Sequence, residues 1–428
     1  MFQRHIVAQV IGALGDNPVV LLHGARQTGK TTLARYIAAG LHRARYLTLD
    51  DAAVLAAARA DPAGFITGLD GPVVIDEVQR APELFVAIKA YVDRHRQAGR
   101  FLLTGSANVL LVPQLSESLA GRMEILTLWP LSQGEMDGIQ EAFIDRLFHS
   151  GPLPIVPKVV ERPEVIRRLL AGGYPEAVGR APARRRAWFG SYLTTVLQRD
   201  VRDLSRRIER ISELPRLLAV LAARTGTLLN VADLSRVLGI PQSTFGRYLT
   251  LLQATFLIHR VPAWTANVRK RLLKSPKVVL SDTGLATHLL GIDARGLVGN
   301  PELWGAVLET FVIIELLKQA TWSKTRPAVY HFRTAKGEEA DIVLEDAAGR
   351  IVGIEVKAAT SIGTDDFRGL RALASISRKR FHRGVLLYLG GEALPFGSSL
   401  HAVPLSHVWR TNSAASSRSD GTPPRSRA

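Results

Sequence analysis

The 428-residue sequence contains no cysteine, which excludes a disulfide framework and thiolate metal sites. This absence agrees with a reducing compartment, so we expect a cytoplasmic protein. The sequence also lacks a long apolar run: the longest uncharged stretch near its middle, residues 101–116, is too short to cross a membrane and contains several polar residues. Residues 1–16 imitate a secretory signal but have no clear small-x-small cleavage site, so they predict a first helix instead. We therefore expect no membrane partner.

Acidic residues are scarce relative to basic ones, since 38 Asp and Glu face 55 Lys and Arg for a net charge of +17. Residues 1–140 carry 13 of each sign, residues 141–290 carry 24 basic and 11 acidic, and residues 291–428 carry 18 and 14. The excess therefore lies in the middle third. Such a field is expected of a protein that contacts the phosphates of double-stranded DNA, although arginine-rich solvated helix faces give the same count. The length predicts two or three compact units.

A glycine-bounded loop lies near the amino terminus. The segment GARQTGKT, residues 24–31, matches G-x-x-x-x-G-K-[ST] between a strand-like run, VVLLH, and a helical pattern, TLARYIAA. Glycines at both ends let the backbone wrap around phosphates with its N–H groups pointing inward. Lys30 is expected to contact the β- and γ-phosphates, and Thr31 to offer its hydroxyl to Mg²⁺. The pattern predicts an ATP–Mg²⁺ site whose nucleotide-binding residues are Gly24, Ala25, Arg26, Gln27, Thr28, Gly29, Lys30, Thr31 and Thr32.

Polar residues at the ends of two further strand-like runs complete this predicted site. Asp76 and Glu77 follow the apolar run VVI, and parallel strands carry their sites at their carboxyl ends. We expect Asp76 to hold Mg²⁺ and Glu77 to polarise the attacking water. Ser106, with Asn108 as second choice, is expected to contact the γ-phosphate or that water. Arg122 is a further catalytic candidate, either as an arginine finger acting in trans or as a phosphate contact in cis, with a helix C-terminal charge as the alternative.

The motifs GARQTGKTT, VVIDEVQRAPELF, LLTGSAN, LAGR, WPLSQGE, GGYPEA, QRD (198–200), SDTGLA, GEEADIVL and IEVK occur in this order along the chain. In this respect the sequence resembles the bacterial and archaeal AAA-type P-loop ATPases that carry a C-terminal domain of unassigned function. The resemblance implies an α/β multi-domain protein: a P-loop NTPase with a parallel sheet (1–140), a helical and winged-helix middle (141–295) and a small α/β, restriction-endonuclease-like domain (296–408), before a tail (409–428) whose composition predicts disorder. It implies no defined substrate. Gln133–Gly134 stands where the family pattern has an aromatic residue, and we expect looser packing there.

The middle third contains a candidate DNA-reading element. Residues 228–264 have the pattern of two short helices followed by a hairpin, with the first helix capped by Asn230 and ended by Gly239. In helix-turn-helix modules the start of the second helix contacts bases in the major groove. The candidates here are Gln242, Ser243, Thr244 and Arg247. Winged helices also serve as protein-interaction modules, so a protein partner is the alternative.

Four residues of the last third suggest a second site. Asp341 and the pair Glu355 and Lys357 fall on neighbouring predicted strands, and Glu309 lies on the preceding predicted helix. The arrangement resembles the PD-(D/E)xK nuclease fold. In such a site the carboxylates bind Mg²⁺ and the lysine stabilises charge on the phosphate. Such folds also persist as binding domains without cleavage.

Two functions follow from these observations. The first is an ATP-hydrolysing, Mg²⁺-dependent enzyme that couples the nucleotide to DNA binding or processing through the nuclease-like domain. The alternative is an ATP-dependent switch or assembly protein that binds a protein partner and whose nuclease-like domain is inactive. The sequence leaves the oligomeric state open.

Overall fold

A computed structural model describes residues 2–106, 121–153, 160–201 and 211–412. The candidate Asn108 and the tail from residue 413 onward lie outside the described residues. No helix in the described ranges is both long and apolar enough to span a membrane.

The amino-terminal third is built on a five-stranded parallel sheet. Its strands are β1 (Val19–His23), β2 (Arg45–Thr48), β3 (Val73–Asp76), β4 (Phe101–Gly105) and β5 (Met123–Thr127), in the order β2-β3-β4-β1-β5. Strands β1, β3 and β4 are buried along their whole length, which explains their nearly continuous apolar sequence. The carboxyl ends of all five strands meet at one edge of the sheet, and that edge carries the nucleotide-site candidates.

Helices cover both faces of this sheet. They are α1 (Val7–Asp16), α2 (Lys30–Tyr36), α3 (Ala52–Ala60), α4 (Pro62–Thr67) and α5 (Leu84–Arg94), with a π-helical extension at Ile37–Leu41 and a 3₁₀ turn at Val78–Arg80. Alternate residues of each strand point to opposite faces. Val19 and Leu21 pack with α3–α5, and Val20 and Leu22 pack with α1 and α2. The helix predicted at the amino terminus is confirmed as α1.

The chain then forms a largely helical region. Its helices are α6 (Gln133–Asp137), α7 (Phe143–Phe148), α8 (Arg162–Ala171), α9 (Pro175–Val178), α10 (Pro182–Thr195), α11 (Leu214–Ala223), α12 (Val231–Leu238) and α13 (Gln242–Ala254). A π turn at Val196–Asp200 extends α10, and a 3₁₀ turn at Ile211–Glu213 precedes α11. Asn230 caps α12 through its side chain, and Gly239 ends it at φ +70°, as predicted.

An antiparallel hairpin follows these helices. Strands β6 (Ile258–Val261) and β7 (Lys277–Leu280) pair with each other, and the connection between them contains the short helix α14 (Val268–Arg271). Helices α15 (Thr283–Leu289) and α16 (Ala294–Val298) lead to the last third.

The last third pairs a long helix, α17 (Pro301–Trp322), with a six-stranded mixed sheet. The strands are β8 (Ala328–Arg333), β9 (Glu339–Glu345), β10 (Ile351–Lys357), β11 (Phe381–Tyr388), β12 (Leu394–Pro395) and β13 (Leu400–Pro404), in the order β12-β13-β11-β10-β9-β8. Strands β8, β9 and β10 are antiparallel, whereas β10, β11 and β13 run parallel. The crossover from β10 to β11 contains α18 (Arg368–Ser377) between 3₁₀ turns at Thr364–Phe367 and Arg378–Arg380, and α19 (His407–Arg410) closes the described chain.

The hydrophobic cores do not follow the predicted boundaries at residues 141 and 409. Phe143, Leu147 and Leu169, placed by sequence in the middle unit, belong to the same buried cluster as α17 and the C-terminal sheet. Trp409, placed in a disordered tail, is fully buried in that cluster. Sequence separation conceals this arrangement because α7 packs against β11, and α8 against α17, from a distant part of the chain.

Candidate functional site

The loop between β1 and α2 has the backbone that its glycines predict. Gly24 has φ +156°, and a Cβ added there would lie 2.2 Å from the carbonyl oxygen of Leu128. Gly29 has φ +93° in the left-handed region and immediately precedes the first residue of α2. Only glycine satisfies both conditions without strain. The loop therefore curves back over the end of β1 and presents the start of α2 to the same space.

Lys30 closes this loop. Its side chain is buried, and Nζ donates hydrogen bonds to the carbonyl oxygens of Gly24 at 3.0 Å and Ala25 at 2.8 Å. Burial lowers the pKa of Lys30 to about 8, against the opposing pull of Glu77 and Asp76. In P-loop proteins the backbone N–H groups of the loop cradle the phosphates and the lysine reaches their oxygens, and Lys30 occupies the position of that lysine.

The predicted magnesium ligands lie together. Asp76 is 2% exposed, and its carboxylate accepts hydrogen bonds from Thr31 at 2.9 Å, from Tyr46 at 2.7 Å and from Thr104. A hydroxyl paired with a carboxylate in this way is an oxygen-ligand set that suits Mg²⁺. Tyr46 and Thr104 were not predicted; both stand on strands next to Asp76, and only the sheet order shows this.

Glu77 has an unusual backbone for a residue with a side chain. Its φ of +61° and ψ of +42° are left-handed, a conformation that costs energy and is concentrated at functional sites. The side chain of Gln79 bonds to the Glu77 carboxylate and, at 2.9 Å, to Ser106 Oγ, which itself lies 3.5 Å from Glu77 Oε2. Glu77 and Ser106 are therefore brought together, and Gln79 is the residue that sequence reasoning missed.

Asp200 and Arg4, which lie outside the sheet, each contact the loop. Arg26 forms a bidentate ion pair with Asp200 of the π turn after α10, with contacts of 2.9 Å and 2.8 Å. Arg4 donates to the carbonyl oxygen of Thr28 at 2.7 Å from the opposite direction. Ala25 is buried in the hydrophobic cluster of the helical region. The loop is consequently in direct contact with the helices that follow it in sequence. Gln27 and Thr32 are exposed at its outer side.

Arg122 lies far from this site within its own chain. It directly precedes β5, and β5 pairs in parallel with β1 so that Met123 stands opposite Val19, whereas the loop follows the other end of β1. Arg122 thus occupies the amino-terminal edge of the sheet, where it forms an ion pair with Asp93. The predicted phosphate contact in cis is wrong, because the two edges are separated by the length of the strand. The hypothesis of an arginine finger acting in trans stays a prediction.

The segment around Gln133 is tightly packed, so the expectation of looser packing there is wrong. The backbone N–H of Gln133 donates to Glu315 at 2.8 Å, and its side chain accepts from Arg168 at 3.0 Å. A Cβ on Gly134 would lie 2.3 Å from the Glu141 side chain. The missing aromatic ring is replaced by buried polar contacts.

The four candidates of the last third lie close together and are linked by ion pairs and a backbone hydrogen bond. Glu355 Oε1 pairs with Lys357 at 3.0 Å, and Asp341 accepts from the backbone N–H of Val356 at 2.9 Å. Glu309 pairs instead with Lys277 of β7 at 2.6 Å. In the part of the chain that the structure describes, no three His, Cys, Asp or Glu side chains are arranged to hold a metal ion. The Mg²⁺ site expected at Glu309, Asp341, Glu355 and Lys357 stays a prediction, and Lys277, which the sequence did not indicate, is a further member of this cluster.

The DNA-reading candidates lie at the start of α13. Gln242, Ser243 and Arg247 are exposed, and Thr244 is half-buried. Arg247 donates to Thr244 Oγ1 at 3.3 Å. They share one accessible end of the helix.

Three family profiles match the chain: an AAA domain at residues 16–137, a domain of unknown function (DUF8612) at 162–296 and a domain of unknown function (DUF4143) at 304–408. A Walker-type ATPase of Pyrococcus abyssi is a structural neighbour, with 16% identity over 68% of this chain and 96% of its own and a TM-score of 0.38, a value too low to carry an argument. The uncharacterized proteins Rv2008c of Mycobacterium tuberculosis and Mb2031c of Mycobacterium bovis are each 35% identical over 414 residues, which cover 96% of this chain and 85% of theirs. The chain therefore belongs to the family of these two mycobacterial proteins, and its first third is a P-loop domain of the AAA type.

Proposed function

We propose that the protein is a Mg²⁺-dependent ATPase whose nucleotide state controls the binding of double-stranded DNA by residues 214–280. The observation that carries the proposal is the convergence of Lys30, the Thr31–Asp76 pair and Glu77 at one edge of the parallel sheet. Each group has one of the chemical properties that phosphoryl transfer to water requires: a cation for the phosphates, oxygen ligands for the metal and a carboxylate for the nucleophile.

The roles of the residues follow from their present contacts. The ammonium of Lys30 exchanges its two carbonyl acceptors for phosphate oxygens, which are stronger acceptors because they are charged. Thr31 and Asp76 would hold Mg²⁺, which would neutralise phosphate charge when bound. Glu77 orients and polarises the attacking water, and Gln79 and Ser106 fix the position of its carboxylate.

The coupling to the helical region rests on two contacts of the loop. Arg26 bonds to Asp200, and Ala25 packs in the cluster that contains Leu197, Leu218 and Phe245. Any displacement of the loop by a triphosphate therefore acts directly on α10 and on the helices packed beneath it.

The DNA-binding part of the proposal is supported by geometry and charge. Helices α11–α13 followed by the β6–β7 hairpin have the element order of a winged helix. The exposed start of α13 contains Arg247, which has no acidic partner among the described residues. The surrounding residues 141–290 carry the excess of positive charge. These features suit a module that reads a duplex through phosphate and base contacts.

A protein partner is the second candidate, and one observation favours it. Leu272 and Leu273 are 89% and 86% exposed in the connection between β6 and β7. Two adjacent leucines in water are typical of a surface that becomes covered. Under this alternative the nucleotide switches the binding of a protein and duplex DNA has no effect.

The deciding experiment measures ATP turnover with and without duplex DNA. Lys30→Ala should lower turnover by about 100-fold or more, because it removes the charge that stabilises the transferring phosphoryl group. Lys336→Ala removes an exposed lysine from the turn between β8 and β9 and is the matched control. Normal turnover by Lys30→Ala would refute the ATPase assignment.

DNA binding is tested separately by its dependence on salt. The affinity for duplex DNA should fall steeply as the salt concentration rises. Arg247→Ala should reduce the slope of log affinity against log salt concentration by about the contribution of one phosphate contact. Arg236→Ala is the control, since the charge of Arg236 is already paired with Asp233 at 2.7 Å. A duplex that neither binds nor changes turnover would favour the protein-partner alternative.

A further inference from the structure

The acidic residues of the C-terminal sheet surround a lysine from another part of the chain. Lys277 belongs to β7 of the hairpin, is 5% exposed, and places Nζ 2.6 Å from Glu309 Oε1 and 3.7 Å from Asp341 Oδ1. Glu309 comes from α17 and Asp341 from β9. The ammonium therefore lies between the helix and the sheet, at the place where the two carboxylates face each other.

The backbone fixes Lys277 in that position. The hairpin joins the C-terminal sheet where Ala263 forms a parallel bridge with His331, through Trp264 N–H to His331 O at 2.6 Å and His331 N–H to Pro262 O at 2.9 Å. His331 also bonds through its ring to the carbonyl oxygen of Ser275, two residues before Lys277. The lysine is thus anchored along the strand that carries it, unlike a flexible surface side chain.

Positive charge is already present in the cluster without a metal. Three carboxyl groups, Glu309, Asp341 and Glu355, face two ammonium groups, Lys277 and Lys357, and Lys357 also lies 3.9 Å from Asp366.

A divalent ion does not fit this arrangement. Mg²⁺ needs several oxygen ligands at about 2.0–2.1 Å and excess negative charge. The ammonium of Lys277 lies within hydrogen-bonding distance of Glu309 Oε1 and near Asp341 Oδ1. The ammonium and a divalent ion therefore cannot occupy the space between these oxygens together.

We propose that the ammonium of Lys277 is the resident cation of the Glu309–Asp341–Glu355 cluster, in place of the metal that a PD-(D/E)xK-like fold implies. The C-terminal sheet is then a module that the hairpin holds by an internal ion pair, and it binds no catalytic metal. Removing the ammonium leaves the cluster one positive charge short, which is the condition under which a cation binds.

The test counts Mn²⁺ ions bound to the full-length, nucleotide-free protein, by titration monitored with electron paramagnetic resonance. Wild type and Glu355→Gln should bind the same number of ions. Lys277→Met should bind one more per chain, and Lys277→Met with Glu355→Gln should lose that ion. Lys274→Met, which removes an exposed lysine from the same hairpin, should match wild type.

Two results would overturn the proposal. One is a wild-type ion that Glu355→Gln abolishes, since this would mean that the cluster already holds a metal. The other is a folded Lys277→Met protein that gains no ion. If Lys277→Met does not fold, the comparison of wild type with Glu355→Gln decides alone. The nucleotide site is the same in all these proteins. If that site failed to bind ATP, the proposed function would fail, but the comparison of bound Mn²⁺ ions between wild type and variants would be unaffected.

Discussion

The ion pair between Arg26 and Asp200 allows a sharp test of how the nucleotide loop communicates with the helices. The pair is bidentate, and its side chains are only 26% and 12% exposed. Burial opposes the charge of Arg26, but the bond to Asp200 and the charge of that carboxylate outweigh it and raise the Arg26 pKa. In the absence of nucleotide the pair is electrically neutral, so Asp200 cancels a positive charge that the loop would otherwise present to ATP.

Replacing either partner changes that balance in a predictable direction. One unit charge at about 8 Å from a triphosphate is worth about 0.5–2 kcal/mol between the dielectric of water and that of a protein surface. Asp200→Ala frees the guanidinium and should tighten ATP binding by about fivefold. Arg26→Ala leaves an unpaired carboxylate and should weaken it by about as much. The double variant restores neutrality and should bind ATP with nearly wild-type affinity.

The assay is equilibrium binding of a fluorescent ATP analogue with Mg²⁺ at low and moderate salt. Asp233→Ala removes one acidic charge on α12, away from the loop, and should leave affinity unchanged. The reasoning would be refuted if Asp200→Ala weakened binding as much as Arg26→Ala does. That result would mean that the pair holds the loop in shape and that its charge balance has no effect on the nucleotide.

Two further predictions concern catalysis and pH. Glu77→Gln should keep ATP affinity within about twofold but lower single-turnover hydrolysis by about 10²–10⁴, because the amide cannot accept a proton from water; hydrolysis at the wild-type rate would exclude Glu77 as the base. Burial lowers the pKa of His259 to about 3, while the unfolded chain keeps its ordinary value of 6.5. Below pH 6.5 the unfolded state therefore takes up a proton that the folded state refuses, so stability should fall between about pH 6.5 and pH 3. His259→Phe preserves a ring against Trp129 and should reduce the pH dependence of the thermal midpoint, leaving the part that comes from His23 and His331, whose pKa values burial lowers to about 4. An unchanged dependence would contradict this account.

The convergence of the candidate nucleotide-site residues was largely predictable because the motif is local. Gly24, Gly29 and Lys30 must follow one another at fixed spacing to make a phosphate cradle, and the sequence displays that spacing directly. Asp76 and Glu77 were found because an apolar run ends at them. The neighbouring strands β9 and β10, which carry Asp341, Glu355 and Lys357, were predicted for the same reason, since alternation and turns are properties of short segments.

The residues that escaped prediction act across the fold. Asp200 reaches Arg26 over 174 positions, and Lys277 reaches Glu309 over 32. Nothing in the spacing of either pair indicates contact. The error about Arg122 has the same origin, because the edge of the sheet on which a residue lies depends on strand order, which one sequence does not reveal.

The contacts that join the amino-terminal third to the rest of the chain differ in the free energy that breaking them costs. The Glu315–Lys318 pair, whose members bond to Gln133 N–H and Leu131 O after β5, is 1% and 3% exposed. Both charges belong to α17, so a movement of the helix away from this segment would break the bonds to Gln133 N–H and Leu131 O. Each broken bond would leave a buried polar group without a partner, at a cost of about 1–3 kcal/mol. The Arg26–Asp200 pair is several times more exposed, so water replaces part of what it loses. Helix α17 must therefore stay fixed to the segment after β5, and the junction between the loop and the end of α10 is where a nucleotide-driven movement meets least resistance.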